Sequence, residues 1–215
     1  IKCVPVVCGL LWLSGCAQSA HETGTLTPAV CCTALEQLPT QDFNGKTSRV
    51  LTFDAQTPRV AEGNGSARTQ VLALPALRRA YTLELTVPVN DEQFLAVEAV
   101  LYDADWKPLK KLAYKDFEYR KPVLLEGHRL FADIVVQPGE KAARWLAIAT
   151  VAQPQPDRLK LIAESEIYAK KTHVEAPLEQ ARYATAGEDG TIRVRISRIS
   201  ALTNELIDAV TGQME

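Results

Sequence analysis

Tyr81-Thr82-Leu83-Glu84-Leu85-Thr86-Val87 alternates apolar and polar residues without a break. A period of two puts the apolar side chains on one face of an extended strand and the polar ones on the other. The stretch therefore reads as a strand with one buried and one wetted face. The pattern returns over Leu95–Leu101, and again where Ile192, Val194 and Ile196 alternate with Arg193, Arg195 and Ser197. Shorter candidates are Arg49–Asp54, Thr69–Leu74, Leu109–Tyr114, Leu130–Val136 and Arg144–Val151.

The punctuation between these runs agrees. Asn64-Gly65 suits a tight hairpin between Arg59 and Gln70, because both positions tolerate positive φ. Asp189-Gly190 offers the same just before the final strand, while Asp103–Pro108 and Pro138-Gly139 read as polar reversals. Together they predict a mainly β domain, an antiparallel β-sandwich or partly closed barrel with two short covering helices. The first helix is expected over Asp157–Lys171, with Leu159, Ile162, Ala163 and Ile167 on one face. Asp157 would cap its start, and Lys170 and Lys171 suit its negative end. The second carries Leu202, Leu206 and Val210 and ends at Gly212.

Ahead of the strands, Lys2 precedes an apolar run, Cys3 to Leu13, which ends in Leu13-Ser14-Gly15-Cys16. Charged start, apolar stretch and small-residue cleavage site is the order of an export signal. The Leu-Ser-Gly-Cys ending looks like a lipobox, which makes Cys16 the expected lipidation site. The expected organisation is residues 1–15 as a lipoprotein signal peptide and 16–33 as lipidated cysteine and flexible tether. Residues 34–200 then form the sandwich, and 201–215 the short C-terminal helix. Ala17–Pro28 is small and polar, as a tether would be. Acyl chains would hold the protein without a spanning helix. Ala17, standing after the cysteine where Asp does not, favours the periplasmic side of the outer membrane. Cys31 and Cys32 are the thiols that remain in the mature chain. Adjacent cysteines can close only a strained eight-membered ring, so they read as reduced or mixed thiols.

With 24 basic and 26 acidic residues the net charge is −2, which argues against a nucleic-acid partner. No catalytic residues are assigned. There is no Gly-x-Ser-x-Gly, and the histidines are His21, His128 and His173. His128 and Asp133 would point to opposite faces of a strand. Asp103 and Asp105 read as turn residues rather than a calcium site. No metal and no cofactor are expected, and the chain does not read as an enzyme. One cluster remains, Trp106, Tyr114, Phe117 and Tyr119, interleaved with Lys107, Lys110, Lys111, Lys115, Arg120 and Lys121. Flat rings stack on sugars as readily as they fill cores, so these four are the candidate ligand-binding residues. Tyr114 shares the parity of Leu112, whereas Phe117 and Tyr119 share the other. A bend or bulge is therefore expected near Lys115-Asp116.

Val100-Leu-Tyr-Asp-Ala-Asp-Trp-Lys-Pro108 also resembles a segment of the maltose operon periplasmic protein family. The resemblance runs from Ala34-Leu35-Glu36-Gln37-Leu38 through Trp145–Val151 and Ile167-Tyr168-Ala169-Lys170. It then takes in Pro177, Arg182, the Asp189-Gly190 turn and Ile192-Arg193-Val194-Arg195-Ile196. It implies an exported protein linked to maltose and maltodextrin uptake genes, with no catalytic residues to carry over. The function expected is a non-enzymatic, periplasm-facing envelope lipoprotein accessory to that uptake. The alternative is a carbohydrate-binding module that contacts maltodextrin through the aromatic strip. The partners expected are the membrane, through the lipid anchor, and an envelope protein or maltodextrin.

Overall fold

The computed structural model describes residues 30–62, 65–90, 92–123, 126–139, 142–175 and 181–198. In chain order the strands are β1 (Val30–Cys32), β2 (Thr40–Gln41), β3 (Ser48–Phe53), β4 (Arg59–Glu62) and β5 (Gly65–Ala73). They continue as β6 (Tyr81–Asn90), β7 (Gln93–Leu95), β8 (Val97–Tyr102), β9 (Pro108–Leu112) and β10 (Glu118–Arg120). Then come β11 (Arg129–Val136), β12 (Trp145–Thr150), β13 (Arg158–Leu161), β14 (Arg182–Gly187) and β15 (Gly190–Arg198).

Two sheets pack as a sandwich, and no barrel closes. The first runs β1-β4-β5-β12-β8-β9, with β2 alongside β5. The second runs β10-β11-β6-β7-β14-β13, and β15 pairs with both β6 and β3. Most pairs are antiparallel, while β1–β4, β2–β5 and β7–β14 are parallel.

The alternation does what its period dictates. Tyr81, Leu83, Leu85 and Val87 are buried, and Thr82, Glu84 and Thr86 are half-buried on the opposite face. Leu130, Ala132, Ile134 and Val136 of β11 join that inner row, as do Ile192 and Val194 of β15. From the first sheet Leu72, Leu101, Leu146 and Ile148 meet them. Strand β12 is apolar on its other face too, where Ala147 joins a smaller cluster with Cys32, Leu38, Val60 and Val71. The chain ahead of β2 thus forms a strap across the outside of the first sheet.

Three expectations need correction. The described fold begins at Val30, ahead of the Ala34 boundary, because Val30 and Cys32 pair with Arg59 and Val60 of β4. Cys31 and Cys32 are joined as a disulfide, Cys31 exposed and Cys32 buried in the smaller cluster. The helix begins only at Glu164 and runs to Thr172. Leu159, expected on a helix face with Ile162 and Ala163, instead packs from β13 with Leu161, two residues on as in a strand, and β13 pairs with β14. The bend expected near Lys115-Asp116 is present as a 3-10 turn, Tyr114–Asp116, in which the Asp116 carboxylate accepts the Ala113 N–H at 2.8 Å. Residues 1–15, Cys16, Asn64, Pro177 and the expected helix in 201–215 lie outside the described residues.

The Asp189-Gly190 turn stands where its sequence put it, between β14 and β15. Gly190 has φ of 145°, and a Cβ there would sit 3.1 Å from that of Leu95. Glycine meets both demands at once.

The buried row makes two predictions. Leu85→Asp places an uncompensated charge in the core and should cost several kcal/mol, while Thr86→Asp on the opposite face should cost far less. Urea denaturation of the two variants checks this, and equal losses would mean the inner face is misassigned. Burial also pushes the Tyr81 phenol from 10.0 to about 12, against a smaller lowering by Arg144. The folded state therefore holds a proton that the unfolded chain releases first. The stability that comes from this group is complete below pH 10 and fades as pH rises toward 12. Tyr81→Phe should flatten that part of the alkaline stability curve, apart from its overall offset.

Candidate functional site

The loop between β8 and β9 is a turn braced by one carboxylate. Asp103 accepts the backbone N–H of Asp105 and of Lys107, each at 2.9 Å. Its own N–H and C=O bond to Lys107 O and Trp106 N–H. This reversal holds Trp106 at φ 59°, a left-handed conformation that a bulky side chain rarely adopts. The indole then lies flat on Trp145, with centroids 5.1 Å apart and planes 5° from parallel. Tyr102 is tilted against Trp106 at 6.0 Å. Tyr102 and Trp145 are register partners on neighbouring strands, so their side chains share the outer face of the first sheet. All three rings are half-buried.

Beside this aromatic cluster runs a groove of about 220 Å³. Ala67, Ala147 and Ala149 line it with small side chains, Leu35 of the strap stands on one side, and Tyr102 and Glu98 on another. Glu98 is paired with Lys111 of β9 at 2.7 Å. The Nε1 of Trp145 is buried without a hydrogen-bond partner.

The four aromatic residues singled out from sequence are not brought together. Phe117 is buried in the main core. Tyr114 packs on that core, stacks on Phe94 with centroids 6.2 Å apart, and donates its hydroxyl to Pro156 O. Burial, and then the nearby Asp157 carboxylate, push its phenol above the ordinary range. Tyr119 also packs on the core; its hydroxyl contacts His128 Nδ1 at 2.7 Å and accepts the Ile162 N–H at 3.0 Å. Only Trp106 of the four lies on the outer face of the first sheet. Tyr102 and Trp145 are its neighbours there, and sequence reading passed over both. The signal was present: Trp145, Ala147 and Ala149 fill the phase of β12 that would be polar if that face were open to water.

The charged groups elsewhere are tied into structure. Glu188 meets Arg59 Nη2 at 2.5 Å, and Asp189 meets Arg68, so the β14–β15 turn of one sheet is clamped to β4 and β5 of the other. His128 and Asp133 form no dyad, since His128 turns to Tyr119 and Asp133 is exposed. Among the described residues no three His, Cys, Asp or Glu side chains gather in a way that would hold a metal ion.

A family model described as maltose operon periplasmic protein precursor matches residues 64–196. That interval covers the sandwich from β5 nearly to the end of β15. No curated protein matches the chain. Among solved structures, the pre-peptidase C-terminal domain of collagenase from Bacillus anthracis is similar over 74% of this chain and 95% of its own. Its identity is 9% and its TM-score 0.31, so that likeness carries no argument.

Tyr119 is thus a tie between β10, the start of β11 and the end of β13. Tyr119→Phe keeps the ring and removes the acceptor of the Ile162 N–H, which should cost about 1–3 kcal/mol. The loss should appear in urea denaturation, and an unchanged midpoint would mean that the hydroxyl contributes nothing to the fold.

Proposed function

The chain belongs to the maltose operon periplasmic protein family, and we propose that it serves maltodextrin uptake as a non-enzymatic envelope lipoprotein. Cys16 holds it to the periplasmic side of the outer membrane, and residues 17–29 separate the acyl chains from β1. The family match carries this reading, since its description names both the maltose operon and the periplasm. The Leu13-Ser14-Gly15-Cys16 motif supports the anchor.

A binding role suits the chemistry on the page better than catalysis does. Asp103 and Asp116 cap turns, and Glu188 and Asp189 hold arginines. Each of these carboxylates is occupied in positioning backbone or neighbouring strands. A second reading, direct contact with maltodextrin, is favoured by the half-buried Trp106–Trp145 stack on an outer face.

Two measurements test the proposal. Cys16→Ser should leave an uncleaved precursor that incorporates no labelled fatty acid, and normal maturation of that variant would end the lipoprotein reading. Cells without the protein should take up labelled maltodextrin more slowly when it is scarce. Unchanged uptake would overturn the accessory role.

A further inference from the structure

We propose that the groove and the Tyr102–Trp106–Trp145 cluster beside it form a binding site for a maltodextrin chain. The choice of ligand rests on the uptake reading above; the site itself is argued from geometry. The groove is below the roughly 300–1,000 Å³ of enclosed ligand pockets, at about 220 Å³. A ligand here would lie along an open surface, as an extended chain does.

The walls match the two faces of a sugar ring. Glucose presents C–H groups on its flat faces and hydroxyls around its edge. The faces pack on flat aromatic surfaces, and the edge needs donors and acceptors. Tyr102, Trp106 and Trp145 supply the aromatic surface. Glu98, fixed by Lys111, supplies a carboxylate with acceptor positions beyond those one lysine can use.

Trp106 gives the strongest reason to read this as more than cover for a sheet face. A turn that had only to reverse the chain would carry Gly or Asn at a left-handed position. This one carries a tryptophan at φ 59°. Such a conformation is strained for a bulky residue and persists where the surroundings impose it. Here the Asp103 carboxylate and the stack on Trp145 impose it. The turn is built to deliver that ring, which stands half-buried against Tyr102, a residue that lines the groove.

The test uses the mature chain from Cys16, whose tryptophans are Trp106 and Trp145, so emission reports on this stack. Maltoheptaose should change that emission saturably and bind more tightly than maltose. In calorimetry, Trp106→Ala and Glu98→Gln should each weaken maltoheptaose binding by about tenfold or more. Tyr168→Ala, on the exposed side of the helix, should bind as the parent does. Melting curves accompany each variant. If Trp106→Ala fails to fold, Trp106→Phe, which keeps a flat ring, should retain binding while Glu98→Gln loses it. A folded parent that binds no maltoheptaose overturns the site, and so do folded Trp106→Ala and Glu98→Gln variants with parental affinity. The uptake assay separates the two ideas. Slowed uptake without binding removes the groove and keeps the accessory role, whereas binding with normal uptake does the reverse.

Discussion

Strand β6 carries hydrogen-bonded partners on both flanks, β11 from Tyr81 to Pro88 and β15 from Tyr81 to Thr86. Its buried row therefore sets the phase of both neighbours, since a slip of one residue would turn every inward side chain outward. Through β15 the same constraint reaches β3, where Leu51 and Phe53 are almost wholly buried. From the far end of β6 the chain folds back into β7, which pairs with β14. That pairing brings the β14–β15 turn over Leu95, where Gly190 leaves just enough room. Arg59 and Arg68 can then reach Glu188 and Asp189 from the other sheet. The ion cluster is thus a result of the strand order rather than its cause.

The outer face of the first sheet has a different logic. Strand β12 pairs on both sides, with β5 and β8, and carries apolar residues on both faces. A sheet face of this kind must be covered or used. The strap from β1 to Leu38 covers the part over Val60 and Val71. Alanines floor the part next to it, and the aromatic cluster lies beyond them. One face therefore passes from closed core to open groove along the same few strands.

Much of the sandwich was legible because its long strands bury one face and wet the other. Tyr81–Val87 and Ile192–Ile196 each show a clean period of two, and each lies in the expected strand. Short edge elements were harder to read. Arg182–Gly187 buries Ala184 fully but no large side chain, so it gave little hydrophobic signal. Leu159 fits a helix with Ile162 and Ala163 and a strand with Leu161, and the pairing with β14 decides between them. The aromatic strip misled for a related reason. Closeness in sequence does not survive the 3-10 turn at Tyr114–Asp116, which sends Phe117 into the main core. Of the partners that Trp106 does have, Trp145 is set beside Tyr102 by sheet register, which composition does not reveal. The disulfide between Cys31 and Cys32 likewise depends on a strap conformation that local chemistry alone disfavours.

The strand order also gives the basic residues a purpose. Strand β9 ends one sheet, and it carries Pro108, Lys110 and Lys111. The other ends at β10, β13 and β3, which bear Arg120, Arg158 with Lys160, and Arg49. An open edge offers unpaired backbone groups to any strand that drifts past, and charge or proline there discourages the match. Lysines, arginines and the proline at these borders therefore weigh against copies of the chain joining edge to edge.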